Sequence, residues 1–165
     1  MASSASTADP TPGTPSAAIS HAPGERILLF SVGDRVYGCP VDAVREIVPS
    51  RRTTRLPGAP PYVRGLMNLR GSILTIIDLG VRLGETDAAR ADGSTVLIEH
   101  RQRLMGIAVD EVMDVQPLAT DRLEQPTAPG ATDRSAGIVR GLGHLDDGRV
   151  VILLDIHSVV GQVLR

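Results

Sequence analysis

Apolar residues come along this chain in short bursts separated by glycine, proline and charge. Residues 27–32 are an apolar run with Gly33-Asp34 behind it. Residues 36–41 then alternate, with Tyr37, Cys39 and Val41 on one side. Two such runs around a short glycine-containing turn predict a β-hairpin. Pro40 has no amide proton to give to a ladder, which puts it at an edge or at the end of its strand. Residues 41–44 turn, and residues 45–48 form another short strand. Residues 49–61, rich in proline and arginine, read as a loop. A strand over 62–69 follows, with Val63, Gly65, Met67 and Leu69 on one face. Gly71-Ser72 turns, and residues 73–77 read as a buried strand. Asp78 stands where a helix N-cap should, because its carboxylate can accept free backbone N–H groups. A helical turn through Leu83 ends at Gly84.

Then the pattern starts again. Residues 26–48 lie over residues 94–116 without a gap, so that Gly38 falls on Gly106 and Val41-Asp42-x-Val44 on Val109-Asp110-x-Val112. Val63-Arg64-Gly65-Leu66 returns as Val139-Arg140-Gly141-Leu142, and Asp78 returns as Asp155. A polar linker over 85–93 separates the copies. The second copy has its hairpin at 95–100 and 104–109, a long irregular segment over 117–136, and strands at 137–142 and 149–154. After Asp155, residues Ile156, Val159, Val160, Val163 and Leu164 make the stripe of an amphipathic helix that Asp155 caps. Two collinear copies, about 26–84 and 94–165, predict two similar small domains and not a solenoid, which needs three or more units. Each copy alone is near the lower size limit for burying a sufficient core, so the two are expected to pack together and share apolar surface. Many short strands with turn residues between them predict an all-β chain of two small barrels, about five strands each, since closure removes exposed sheet edges.

Composition narrows what these barrels do. The chain has 165 residues and a net charge of −2, with no basic excess to suit a nucleic acid. It has no Trp, and only Phe30, Tyr37 and Tyr62 are aromatic, which leaves a base-stacking platform poorly supplied. Cys39 is the single cysteine, so an intrachain disulfide is excluded. No run of 18 apolar residues predicts a membrane span. Residues 1–25 are rich in Ala, Ser, Thr, Pro and Gly, lack the charged and apolar regions of a secretory signal, and read as a disordered tail.

A catalytic set is missing. His21, His100, His144 and His157 are widely separated, and the tight ligand spacing of a structural zinc site is absent. Cys39 lies on the face of Tyr37 and Val41, and its counterpart is Ile107, which makes it a small core residue. No nucleophile elbow and no phosphate loop occur, and with all 17 basic residues being Arg there is no lysine for such a loop. Asp42 and Asp110, in matching Val-Asp-x-Val settings, read as turn residues. No cofactor and no metal is expected. A small barrel that binds an oligosaccharide, a nucleic acid or another ligand would need an aromatic or basic face, and the sequence supplies neither.

Several stretches resemble the CheW family of chemotaxis coupling proteins. They are Val36-Tyr37-Gly38-Cys39-Pro40-Val41, Val44-Arg45-Glu46-Ile47, Leu56-Pro57, Tyr62-Val63-Arg64-Gly65, Asn68-Leu69-Arg70-Gly71-Ser72-Ile73 and Ile76-Ile77-Asp78-Leu79, with Gly106-Ile107-Ala108-Val109-Asp110 and Leu153-Leu154-Asp155 in the second copy. The resemblance covers about residues 25–165. Thr75 stands where the family often has proline, and Gly141-Leu142-Gly143-His144 is looser than the family's phrase. The resemblance implies two SH3-like five-stranded β-barrel subdomains sharing an apolar seam, with a short C-terminal helix. It implies a non-catalytic cytoplasmic adaptor that couples methyl-accepting chemoreceptors to the regulatory domain of the histidine kinase CheA, held at membrane receptor arrays through those partners. A pili-linked or other chemosensory-like pathway is the alternative setting.

The same resemblance singles out Glu46 and Arg70 as a salt bridge near the partner surfaces. Arginine presents a planar fork suited to a carboxylate. Val44, Ile47 and Val48 flank Glu46, and one face of their strand is expected to stay partly open in the seam and accept an apolar receptor helix. Ile107 and Val109 are the candidates for the opposite wall. Arg64 and Asn68 alternate away from the Val63/Met67 face and are expected at the surface. The basic run Arg51-Arg52-Thr53-Thr54-Arg55 reads as a solvated loop.

Overall fold

A computed structural model describes residues 24–84, 92–119, 123–124 and 137–161. The strands are β1 (Gly24–Val32), β2 (Arg35–Pro40), β3 (Val44–Pro49), β4 (Val63–Leu69), β5 (Ser72–Asp78), β6 (Ser94–His100), β7 (Arg103–Val109), β8 (Glu111–Ala119), β9 (Leu123–Glu124), β10 (Val139–His144) and β11 (Val150–Leu154). A 3-10 turn spans Val41–Ala43, and two short helices, α1 (Leu79–Arg82) and α2 (Ile156–Gly161), each follow the last strand of a repeat. The chain is all-β, with two SH3-like barrel subdomains sharing an apolar seam.

The subdomains do not follow the repeat boundaries. One sheet runs β3-β6-β7-β5-β4 and the other β8-β1-β2-β11-β10-β9. Each repeat therefore lends its opening hairpin to the other. The β1–β2 hairpin pairs with β8 and, in parallel, with β11, while the β6–β7 hairpin pairs with β3 and, in parallel, with β5. The repeat is obeyed in space as in sequence. Gly38 lies opposite Leu153 where Gly106 lies opposite Ile76. A side chain on Gly106 would come within 2.5 Å of Ile76 Cδ1, and one on Gly38 within 2.5 Å of Ile27 Cγ2, so both strands need glycine at this close approach.

Three apolar clusters explain why the strands are continuous apolar runs. Val48, Met67, Leu69, Leu74, Ile76, Leu97 and Ala108 fill one barrel. Ile27, Leu29, Leu118, Leu145, Val151 and Leu153 fill the other. The alternate residues of the same strands, Leu28 and Phe30, Val96 and Ile98, Ile77 and Ile107, meet in the seam together with Ile156, Val159 and Val160 of α2. A strand buried on both faces has no polar side to show, so the period-2 signal disappears from its sequence.

Some expectations change. β1 begins at Gly24, inside the span read as tail; residues 1–23 lie outside the described residues. The segment read as irregular from 117 opens with the end of β8, which continues through Pro117 to Ala119. β8 is the last strand of its sheet, and an edge strand tolerates a residue without an amide proton. Within that segment Leu123–Glu124 form β9, whose first-subdomain counterpart is the single bridge between Thr54 and Leu66. Ile73, expected in a buried strand, is 68% exposed, because it sits at the hairpin tip opposite Asn68. The caps stand as read: Asp78 accepts from Val81 N at 3.2 Å, and Asp155 accepts from Ser158 N and Ser158 Oγ. Val163 and Leu164 lie outside the described residues.

Candidate functional site

The site begins at the tip of the β4–β5 hairpin. Arg70 (φ 52°) and Gly71 (φ 87°) both have positive φ, the requirement of a type I′ turn that matches strand twist. Asn68 Oδ1 accepts from Gly71 N at 3.1 Å and pins the turn. Arg70 then reaches across to β3. Its Nη1 donates to Glu46 Oε2 at 3.0 Å and its Nη2 to Glu46 Oε1 at 2.5 Å, a fork-to-fork contact. The guanidinium holds the Glu46 carboxyl below its ordinary 4.5, and the carboxylate raises Arg70 in turn.

The position of this pair is more informative than its charge. β3 is one edge of its sheet and β4 the other. The Glu46–Arg70 bridge therefore joins the two edges of the first barrel. The second barrel has a looser relative of this contact: Asp114, the counterpart of Glu46 on edge strand β8, faces Arg149 at 3.8 Å beside the β10–β11 turn, where Arg149 also donates to Asp147. Exposed apolar residues flank the first clasp, Ile47 at 42% next to Glu46 and Ile73 two residues beyond Gly71.

The other expected residues separate into two groups. Ile47 and Asn68 are at the surface, while Arg64 and Val44 are half-buried, Val44 against the seam. Val48, Ile107 and Val109 are buried and cannot face a partner. Val48 points into the barrel because a bulge in the β3–β6 register between Val44 and Glu46 resets the alternation. Ile107 and Val109 lie in a seam that is closed by side chains from both sheets, so it offers no apolar opening at that depth. Arg51, Arg52 and Arg55 are exposed on the loop, as expected of a solvated run.

An opening is found at the rim of the seam. Asp42 and Ala43 of the 3-10 turn and His157 of α2 border two adjoining hollows. One, about 380 Å³, is completed by Pro40, Arg140, Leu154, Asp155 and Ile156. The other, about 430 Å³, is completed by Val44, Arg45, Glu99, Arg101 and Gln102. Arg45 and Glu99 form an ion pair along its wall. Of this groove Val44 is legible in the sequence, whereas the β6–β7 turn and α2 are not, because they come from the other repeat and meet Val44 only through the exchange of hairpins. Among the described residues, no group of three or more His, Cys, Asp or Glu is placed to hold a metal ion.

The family model for the CheW-like domain matches residues 26–163. Chemotaxis protein CheW of Rhizobium meliloti is 35% identical over 137 residues, which cover 82% of this chain and 87% of that protein. Protein PilI of Pseudomonas aeruginosa is 34% identical over 101 residues, 61% of this chain and 57% of that one. Among solved structures, the scaffolding protein TtCheW from Thermoanaerobacter tengcongensis superimposes with a TM-score of 0.72 at 29% identity, covering 83% of this chain and 92% of that one.

Proposed function

Because the chain belongs to the CheW-like domain family, we propose that it is a non-catalytic chemotaxis adaptor that couples methyl-accepting chemoreceptors to a CheA-type histidine kinase. It works in the cytoplasm and is held at membrane receptor arrays through its partners. The observation that carries this reading is the collinear match along residues 26–163, with no part of the two-barrel core left over for another task. Two surfaces suit two partners. The rim groove between the subdomains, bordered by Ala43 and Val44, accepts the apolar face of a receptor helix. The Glu46–Arg70 clasp with Ile47 and Ile73 beside it presents a charged and apolar patch to the kinase's regulatory domain. Arg64 and Asn68 belong to this second surface through β4, while Val48 packs in the barrel core behind β3 and Ile107 and Val109 in the seam.

The test is titration calorimetry against the regulatory domain of a CheA-type kinase from the same cell. Arg70→Ala and Glu46→Arg are expected to weaken saturable binding while circular dichroism stays unchanged. Absence of binding to every such kinase would remove the adaptor reading. A second reading, the same adaptor work in a pili-linked or other chemosensory-like pathway, is favoured by the match to Protein PilI. Which kinase and receptor bind in the parallel titrations decides between the two.

A further inference from the structure

His100 ends β6 in one subdomain, and His157 is the second residue of α2 in the other. Their Nδ1 atoms are 3.1 Å apart. The ring centroids are 5.3 Å apart, so the rings meet nearly end to end, with each Nδ1 lone-pair direction aimed at the other ring. That is hydrogen-bond geometry and not the bent bite of two ligands on one metal ion. One Nδ1 must carry the proton and the other must be bare.

The surroundings decide which. His100 Nε2 is buried with no hydrogen-bond partner among the described residues. A buried orphan N–H is rarer in folded proteins than an under-used acceptor. His100 therefore carries its proton on Nδ1 and donates to His157 Nδ1, while the exposed His157 ring turns its Nε2–H to water. A further proton then has two places to go. On His157 Nδ1 it opposes two donors unless the His100 proton moves to Nε2, and with both rings protonated the two donors face each other whatever the tautomer. On His100 Nε2 it adds a donor that has no acceptor within reach among the described residues.

The neighbouring charges give little relief. Arg101 adds a positive charge, and burial, His157 and Arg101 together outweigh Asp155 in lowering the basicity of His100. The Asp155 carboxylate is already occupied by His157 N and Ser158. Arg45 and Glu99 neutralise each other, Asp42 lines both hollows with His157, and Arg140, paired with Glu25, lines one of them.

We propose that His100 and His157 form a pH-sensitive latch that holds α2 of one subdomain to the β6–β7 hairpin of the other, and that double protonation opens it beside the rim groove that His157 borders. The latch rests on this geometry alone; the use of the groove by a receptor rests on the adaptor reading. The test uses the full chain without any partner. NMR follows the histidine rings and the Val159 and Val160 amides from pH 8 to pH 5. In wild type, His100 is expected to titrate below the ordinary 6.5, with the α2 amides shifting at the same midpoint. In His157→Ala the His100 midpoint rises and the linked amide transition disappears. His157→Gln keeps an acceptor that cannot titrate, and α2 stays docked across the range. A His100 midpoint unmoved by His157→Ala, or α2 amides that ignore it in wild type, overturns the latch.

Discussion

The sharpest consequence of the exchanged hairpins is that one seam residue should destabilise both barrels at once. Ile107 is fully buried in β7, paired with Val96 on one side and with Ile77 on the other. Both neighbours point into the same seam. Ile107→Ala removes most of a side chain whose flanks are fixed by two ladders, so the space cannot collapse. Truncations of this kind cost roughly 2–5 kcal/mol, more where the site relaxes poorly. A value of about 3–4 kcal/mol follows from that range. With a urea slope of about 2 kcal/mol/M, the midpoint should fall by roughly 1.5–2 M. Far-UV circular dichroism reports the whole chain. Tyrosine fluorescence reports Tyr37, buried in β2 of the other subdomain, together with the half-buried Tyr62. Both signals should move together in a single transition, because β7 and β2 line one seam. Ile73→Ala, at an exposed tip, should stay within about 0.5 kcal/mol of wild type. A loss below about 1 kcal/mol for Ile107→Ala, or a tyrosine transition left behind while the ellipticity moves, would refute the shared seam.

Three further outcomes are expected. Burial raises the Cys39 thiol to about 12, so native protein at pH 8 should be silent to a thiol-reactive chromophore and release one equivalent on unfolding in urea; rapid labelling of the native state would contradict the packing. Asp78→Ala should cost about 1 kcal/mol in urea unfolding through the lost cap on Val81 N, and Asp78→Asn, which can still cap, should recover most of it. The lowered Glu46 carboxyl makes the clasp fully formed above its ordinary 4.5 and lost as pH falls through the lower folded value; kinase binding by wild type should therefore show no Glu46-dependent change between pH 8 and pH 5, and a Glu46-dependent loss within that interval would count against the assignment.

Much of this fold was legible in the residues. The hairpins, the repeat, both aspartate caps and the α2 stripe could be read because each depends on chemistry local in sequence. Which repeat partners which could not. A strand's apolar run says that both faces are buried, as at Leu28-Leu29-Phe30, and says nothing about what covers them. The same blindness misplaced Ile107 and Val109, whose pattern is identical for a groove wall and for a sealed seam. Ile73 misled in the opposite direction: an isoleucine opening an apolar strand reads as core, and only the turn geometry of Arg70 and Gly71 puts it in solvent. His100 and His157, 57 residues apart, carried no signal until α2 was docked.

A duplicated fold presents the same backbone twice, so its two sides can be told apart only by side chains. The groove next to Val44 has a counterpart on the other side of the pseudo-twofold, at Ser31, Gly33 and the start of β8. The first copy is lined by Arg45, Glu99, Arg101, Gln102 and His157, of mixed charge. The counterpart is lined by Asp34, Asp92, Asp110 and Glu111, all acidic. Asp110 also has a structural task there, accepting from Gly33 N at 2.7 Å to hold the β1–β2 turn. The clasps differ in the same sense: Glu46 and Arg70 are committed to each other by two hydrogen bonds, whereas Arg149 is divided between Asp114 and Asp147. An apolar helix loses less by entering the mixed groove than the acidic one, where four carboxylates would have to shed water. A few charged positions laid over a symmetric frame thus make the two sides of the molecule chemically unlike.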